Sequence, residues 1–383
     1  MTGMKRLIAF VVPLIALALV PLARSGHELP VYPSYYPHEI EIRTTAPGDA
    51  GDQLRDGRLH AYVGEGLRFP SAVPDSIRAV ESLGSIVVVR MSAHSARAQD
   101  SACAIRDRVL RDIAANPTDV IFHPYPVTPL HGDYLHHVDL AEDAKARMSA
   151  APASPASAGD ERLRIRAVGT TERLVPPDRR AHGSEWDAEL IEVRAADLVA
   201  SATMSLNGWH GPEWLKAGWF HAELLLAPSV DDAEARRRVD HDLDRLRARS
   251  HGDAADRINT ERDVVRALTA DCRHAVAGYT VKREYHNAEF SAGIENIAFD
   301  SVSGLNAPMF LRTVKLKDFP WNGWLQLGTP AQPVAAWNPI AGFTDDFGRL
   351  MWSAVGDPAA LPSPYDSAWV LNRIFDVQSA PPR

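Results

Sequence analysis

The sequence predicts an α/β or α+β protein: a layered α/β N-terminal unit and a Trp-rich mixed α+β C-terminal unit. Short apolar segments alternate with helical segments before residue 149. Residues 149–160, SAAPASPASAGD, are small residues and prolines with little to bury. All nine tryptophans follow, from Trp186 to Trp369. We therefore expect one domain at 26–148, a linker or exposed loop at 149–160, and a second domain at 161–383.

Residues 1–25 have the pattern of an export signal. Lys5 and Arg6 form a basic head, an apolar run follows to Ala23, and Ala23-Arg24-Ser25 places small residues at the cleavage positions. The run is slightly short for a spanning helix, which needs about 20 apolar residues. We expect a periplasmic or extracellular protein, anchored in the inner membrane only if this segment is not cleaved.

In the N-terminal unit, the pattern at 39–43 alternates with a period of two and predicts a strand. Residues 86–90 are nearly all apolar, which is typical of a buried parallel strand. A helix is predicted at 101–115, beginning at Asp100 or Ser101 and ending before Asn116-Pro117. Shorter strands are expected at 59–63 and 119–123.

In the C-terminal unit, strands are predicted at 163–168, 189–193 and 310–317. Helices are predicted at 212–227, 231–249 and 261–277, and Glu213 is expected to complement the dipole at the start of the first. Asn322-Gly323 follows one apolar segment and precedes Leu325, so it predicts a hairpin turn.

Composition excludes several classes of partner. Without residues 1–25, which contain three basic residues and no acidic one, 38 Lys and Arg oppose 49 Asp and Glu, so the net charge changes from −8 to −11. Such a surface does not generally attract nucleic acid or anionic lipid. A hydrophobic content of 45% permits a sizeable core, which excludes global disorder.

Cys103 and Cys272 are the only cysteines. In an oxidising compartment they could form a disulfide. Each also lies on the apolar face of a predicted helix, where a free cysteine packs as a small hydrophobe. The sequence leaves both alternatives open. The chain has no CxxC, so it gives no indication of thioredoxin-like chemistry or c-type haem attachment.

The densest polar segment is HPYPVTPLHGDYLHHVD, residues 123–139, which we call the histidine loop. Imidazole and carboxylate groups are ligands that zinc and copper select. The segment contains no HExxH or similar spacing, so the alternative is a surface loop that binds no metal. The candidate metal ligands are His131, Asp133, His136, His137 and Asp139.

The histidine loop follows a predicted strand, and open α/β sheets bind ligands beyond the carboxyl ends of their strands. Its three prolines, at 124, 126 and 129, stiffen the backbone that presents the polar side chains. The candidate ligand-binding residues are His123, Tyr125, Thr128, His131 and Tyr134.

Three functions fit these patterns. The first is an exported, non-catalytic ligand-binding or accessory protein that binds a small polar solute or a metal ion between its domains. The segment 54–63 resembles a helix end, turn and strand of solute-binding proteins. The second is a metal-dependent hydrolase that uses the histidine loop, although the chain has no GxSxG or Walker A motif. The third is a structural subunit that docks to an envelope complex through its aromatic C-terminal region.

Overall fold

The computed structural model describes residues 37–69, 72–116, 118–149, 163–201, 212–318, 323–332, 345–356 and 358–375. The predicted export signal and nearly all of the predicted linker lie outside these ranges. None of the described helices is both long and apolar enough to cross a membrane.

The described part contains twelve strands and nine α-helices, which establish a mixed α/β fold and confirm the predicted class. The strands are β1 (Glu39–Thr44), β2 (Ala61–Tyr62), β3 (Ile77–Met91), β4 (Ile121–Phe122), β5 (Ile165–Ala167), β6 (Ala188–Arg194), β7 (His274–Asn287), β8 (Ile294–Asn296), β9 (Lys315–Leu316), β10 (Trp324–Thr329), β11 (Ala360–Pro362) and β12 (Trp369–Leu371). The helices are α1 (Pro47–Arg55), α2 (Ala96–Ala115), α3 (Val138–Ser149), α4 (Ala195–Ser201), α5 (Gly218–Leu226), α6 (Ala233–Ala248), α7 (Ala254–Thr269), α8 (Pro308–Thr313) and α9 (Asp346–Val355).

One eight-stranded sheet organises the protein, in the order β1-β10-β2-β7-β3-β6-β5, with β4 also paired to β7. The long strands β3 and β7 pair antiparallel over most of their length. Ile86 and Val88 belong to the core on one face of β3, and Val87 and Val89 to the core on the other. Burial on both faces therefore explains the apolar run at 86–90.

The prediction that 86–90 is a parallel strand is wrong, because β3 is antiparallel to both of its neighbours, β6 and β7. A continuous run of apolar residues indicates that a strand is buried on both faces, but it does not indicate the direction of the neighbouring strands. Here the strand that is buried on both faces is antiparallel. Parallel pairs occur instead between β1 and β10, β10 and β2, and β5 and β6.

Strands from both sides of residues 149–160 share this sheet, since β3 precedes the segment and its partners β6 and β7 follow it. The largest core likewise contains Tyr125 from one side and Trp219 from the other. The division into two domains at this segment stays a prediction.

Two predicted elements in the C-terminal half are wrong. The helix predicted at 261–277 is α7, which ends at Thr269, and β7 begins at His274. Between them, the Asp271 carboxylate accepts a hydrogen bond from the Arg273 backbone N–H at 2.6 Å, which stabilises a turn. The first half of the strand predicted at 310–317 belongs to α8, because Pro308 at the first position starts a helix, and only Lys315–Leu316 form a strand.

The predicted hairpin at Asn322-Gly323 is also wrong. Strand β9 pairs with β8, whereas β10 pairs in parallel with β1 and β2. Asn322 itself lies outside the described residues.

Cys103 and Cys272 form a disulfide that joins α2 to the segment before β7. The structure thus resolves the alternative that the sequence left open. Helix α2 begins earlier than predicted, at Ala96, where the Ser95 hydroxyl accepts a hydrogen bond from the Ala98 N–H at 3.2 Å. Its backbone departs from helical geometry at Ser101, where the helix was predicted to begin.

Candidate functional site

The histidine loop packs inside the protein, against the N-terminus of α5. The contact is close because the first residue of α5 is Gly218, where a Cβ atom would lie 2.4 Å from Val127 Cγ1. The Asp133 carboxylate accepts hydrogen bonds from the backbone N–H groups of Gly218 at 2.7 Å and Trp219 at 3.1 Å. Asp133 therefore caps a helix that lies 85 residues further along the chain.

The prediction that Glu213 caps this helix is wrong. Glu213 instead forms an ion pair with Arg249 and accepts a hydrogen bond from Trp369 Nε1 at 3.0 Å. It lies in a short 3-10 turn that precedes α5. The negative charge at the N-terminus of α5 comes from Asp133, which only tertiary packing brings there.

Asp133, His137 and Glu261 converge in the interior. One ligand atom from each lies within 4.8 Å of the others, and all three residues are buried. Burial and the nearby Glu261 charge raise the pKa of Asp133 to about 6, against the lowering effect of the α5 hydrogen bonds. Two buried carboxylates thus lie close together.

His137 has one hydrogen-bonded nitrogen and one without a partner. Its Nδ1 lies 2.9 Å from the Tyr125 hydroxyl, and its Nε2 is buried with no hydrogen-bond partner among the described residues. Burial lowers the pKa of His137 to about 3, so the ring is neutral at pH 7. A buried imidazole nitrogen without a partner is uncommon and can serve as a ligand atom.

Glu261 is held by two cationic or polar neighbours on α7 and the histidine loop. Its Oε1 accepts from Arg257 Nη1 at 2.6 Å, and its Oε2 lies 2.8 Å from His136 Nδ1. The Glu261 side chain is 3% exposed and that of His136 is 24% exposed. His136 therefore connects the buried carboxylates to the surface.

His131 forms a different arrangement with His221 of α5. His131 Nδ1 accepts from the Thr128 N–H at 2.9 Å, so its Nε2–H donates to His221 Nδ1 at 2.9 Å. His221 Nε2–H then donates to the Leu215 carbonyl at 3.0 Å. Burial lowers the pKa of both rings, and that of His221 to about 4. All four ring nitrogens are occupied by hydrogen bonds.

The remaining predicted residues lie apart from the buried carboxylates. His123 Nε2 is 2.9 Å from the Val127 carbonyl, and its ring centroid is 6.0 Å from that of Tyr134. Asp139 is largely exposed and forms a bidentate ion pair with Arg262. The structure thus joins Asp133 to His137 and places His131 and Asp139 elsewhere.

A cleft of about 610 Å³ opens above Asp133 and Glu261. The histidine loop, the ends of α6 and α7, and the C-terminal segment around Tyr365 form its walls. The C-terminal segment lies close to Gly132, where a Cβ atom would be 2.6 Å from Asp366 Cα. The lining side chains with polar or aromatic groups are Asp133, His136, Glu213, Trp214, Arg249, His251, Arg257, Glu261, Tyr365, Asp366 and Ser367.

Sequence reasoning missed most of this cleft. Glu261, Arg257 and Arg249 come from α7 and the end of α6, more than 100 residues after the histidine loop. Each lies in a highly charged segment, where a solvated helical face is the ordinary interpretation. The sequence signal that could have found Glu261 is its position three residues before Val264 and seven before Leu268, which is the spacing of one helix face.

No family model matches this chain, and no curated protein matches it. Its fold is distantly similar to that of the oligopeptide-binding protein AppA of Bacillus subtilis in complex with a nonapeptide, with a TM-score of 0.38 and 11% identity over 71% of this chain and 59% of that one. OppA of Haemophilus influenzae in complex with RPPGFSPFR gives 0.37 and 10%, over 70% and 56%. NikZ of Campylobacter jejuni in complex with Ni(L-His) gives 0.32 and 13%, over 68% and 58%.

The chain thus spans less than 60% of the length of each of these three proteins. Likenesses with TM-scores below 0.5 assign no ligand and no function. The geometry of the cleft and of the buried carboxylates has to supply both.

Proposed function

We propose that the chain is an exported ligand-binding protein that holds a small polar solute in the cleft above Asp133 and Glu261. The observation that supports this most directly is the pair of buried carboxylates at the floor of an open cleft of about 610 Å³. This volume is within the range of small-molecule sites, which place a few polar groups in a sheltered concavity.

The charge of the cleft indicates the class of solute. Four carboxylates, from Asp133, Glu213, Glu261 and Asp366, face two arginines, so the lining has a formal charge of −2 with its histidines neutral. Arg249 pairs with Glu213 and Arg257 with Glu261, whereas Asp133 and Asp366 have no ion pair with an arginine in the described part of the chain. We infer a solute with an ammonium group, either an organic cation or a zwitterion.

Calorimetric titration tests the proposal, with the fluorescence of Trp214 in the cleft wall as a second signal. The probes are putrescine, a neutral zwitterionic dipeptide, glucose and inorganic phosphate. We expect the first two to bind and Glu261→Gln to weaken them by about tenfold or more, since a charge-assisted hydrogen bond contributes roughly 1.5–3 kcal/mol. Arg266→Gln, outside the cleft, is the matched control. Equal binding of glucose or phosphate, or no binding of any probe, would contradict the proposal.

The affinity for an ammonium group should depend on pH. Because the pKa of Asp133 is about 6, its carboxylate is charged above that pH and neutral below it. We expect putrescine to bind progressively more weakly as the pH falls from 7 to 5, and Asp133→Asn to remove most of this dependence. An affinity that is constant over this range would show that Asp133 does not contact the solute.

A metal ion held by Asp133, His137 and Glu261 is the second candidate. The unpartnered His137 Nε2 favours it, because a cation there would gain a ligand and relieve the repulsion between the two carboxylates. Two oxygens and an imidazole nitrogen suit zinc or copper. Tyr125, 2.9 Å from Nδ1, would orient the ring as an outer-shell partner. A metal-dependent hydrolase would require this same metal.

Zinc competition against a chromophoric chelator tests the metal candidate. We expect His137→Gln to abolish binding and Tyr125→Phe to weaken it by about 10–100-fold. His241→Gln, which changes an exposed histidine on α6, should have no effect. Equal affinity in the wild type and His137→Gln would exclude this site and the hydrolase with it. Titration with putrescine in the presence of a strong chelator distinguishes the two candidates, because the chelator removes a metal ion and leaves direct binding of the solute unchanged.

Export stays a prediction, which the disulfide supports because disulfides persist in oxidising compartments. N-terminal sequencing of protein from cell fractions tests it. A mature chain that begins near Gly26 is expected, and a cytoplasmic chain that begins at Met1 would contradict export. Docking to an envelope complex through the aromatic C-terminal region also stays a prediction, and co-purification from solubilised membranes tests it.

A further inference from the structure

A second cavity, of about 540 Å³, is lined by a different part of the histidine loop from the one that lines the cleft. Tyr125 lines this cavity, and its hydroxyl lies 2.9 Å from His137 Nδ1. Helices α2, α3 and α7, the first residues of β7 and the Pro-Tyr-Pro segment at 124–126 form the walls. We call this space the arginine cavity.

The arginine cavity is electropositive. Arg106, Arg147 and Arg266 line it against a single carboxylate, that of Asp143, which gives a formal charge of +2 with histidine neutral. Arg147 forms no ion pair with any described residue. Arg266 binds Asp263 through Nη1 alone, and Arg106 binds Asp107, so both acids that they contact lie outside the lining.

The rest of the lining is largely apolar, and His274 also contributes to it. Leu110, Ala144 and Val276 are buried apolar side chains that form part of the wall. A cavity with guanidinium groups and aliphatic walls complements a molecule that has an anionic head and an apolar body.

We propose that the arginine cavity binds such an amphipathic anion, with a carboxylate or phosphate head at Arg147 and Arg266 and an aliphatic body against Leu110 and Val276. Guanidinium groups bind both kinds of head through paired, charge-assisted hydrogen bonds. The site is separate from the cleft and does not depend on the solute proposed there.

The disulfide holds two walls of this cavity together. Cys103 lies one turn before Arg106 on α2, and Cys272 lies two residues before His274. The bond therefore fixes the helix that supplies Arg106 and Leu110 against the strand that supplies His274 and Val276. The cleft has no such covalent connection among its described residues.

Calorimetric titration of the full-length mature protein with octanoate, octyl phosphate, octanol and octylammonium tests the proposal. We expect one or both anions to bind and the alcohol and cation to bind at least about tenfold more weakly. Which anion binds more tightly identifies the head group. Arg266→Gln should weaken binding of the preferred anion by about tenfold or more. If Arg266→Gln folds poorly, Arg147→Gln replaces it and should have the same effect.

Arg257→Gln, which changes an arginine of the cleft, is the matched control and should leave octanoate and octyl phosphate binding unchanged. Comparable binding of octanol and the anions, or an equal loss in Arg257→Gln, would overturn the proposal. The two proposals can be rejected independently, because putrescine binding tests the cleft and binding of the octyl anions tests the arginine cavity.

Discussion

The cleft and the arginine cavity are lined by different parts of the histidine loop and have opposite formal charges. The cleft has a formal charge of −2 and presents buried carboxylates at its floor, whereas the arginine cavity has a charge of +2 and aliphatic walls. The histidine loop contributes Asp133 and His136 to the first and Pro124 and Tyr125 to the second. A single short segment can therefore line two sites of opposite charge, because its first and second halves have different neighbours.

The two sites also differ in how they are held. A disulfide ties α2 to the start of β7 at the arginine cavity. At the cleft, buried hydrogen bonds hold the histidine loop against α5, through Asp133 and the His131–His221 pair. Loss of the disulfide should therefore affect the arginine cavity more, whereas acid and substitutions at the α5 contact should affect the cleft more.

The largest effect is expected from removal of the disulfide. Replacing Cys103 and Cys272 together by alanine should lower the free energy of unfolding by about 4–5 kcal/mol, because the bond closes a very long loop. Octanoate affinity should fall in the variant while putrescine affinity changes little. Urea unfolding and the two titrations measure this, and an equal loss at both sites would contradict the difference in support.

The second largest effect is expected from acid, which should lower the free energy of unfolding through the buried histidines. Burial lowers the pKa of His123 to about 4, of His137 to about 3 and of His221 to about 4 from 6.5. Below pH 6.5 the unfolded chain binds protons at these rings that the folded chain does not, so stability is lost as the pH falls. Asp133 has the opposite effect, because its raised pKa makes the folded state bind a proton below about pH 6, but it is one group against several histidines.

We therefore expect the free energy of unfolding to fall by a few kcal/mol between pH 7 and pH 5, since each pKa unit corresponds to about 1.4 kcal/mol. Urea unfolding at several pH values measures it. In His221→Gln the dependence on pH should be shallower. Stability that is unchanged or rises toward pH 5 would show that these rings are not held neutral.

A smaller loss is expected at the contact between α5 and the histidine loop. Gly218→Ala places a Cβ atom 2.4 Å from Val127 Cγ1, and such overpacking costs about 1–3 kcal/mol. It should weaken putrescine binding, because Asp133 caps α5 at this point. Gly48→Ala, where no atom lies within 4 Å of the added Cβ, is the control and should leave the melting temperature unchanged or slightly higher, since alanine favours a helix more than glycine does.

The smallest effect is expected from cleavage within 149–160. Limited proteolysis should cut there first, because exposed small-residue segments are cleaved before packed ones. The fragments should remain associated, since β3 pairs with β6 and β7 across the segment. Gel filtration of the nicked protein measures this. Separate folded fragments would support two independent domains, and loss of folded structure in both would place the segment inside one domain.

Several elements followed directly from local sequence. The alternation at 39–43 became β1, the charged segment at 231–249 became α6, and the predicted strand at 189–193 became part of β6. The spacing of apolar residues predicts such elements because the residues that repeat at that spacing form the buried face of the helix or strand. It could not determine that 270–277 leaves a helix and enters a strand, because alternating and helical apolar spacing overlap over a short run.

The candidate site divides in the same way. The sequence by itself determined that the histidine loop collects imidazoles, carboxylates and stiff proline turns, and that two cysteines are available for one bond. Only the tertiary structure decided that Asp133 caps α5, that Glu261 joins His137, and that arginines from three helices line one cavity. These contacts join residues distant in sequence, and their energies arise from burial and electrostatic proximity, which depend on the folded arrangement and leave no local pattern in the chain.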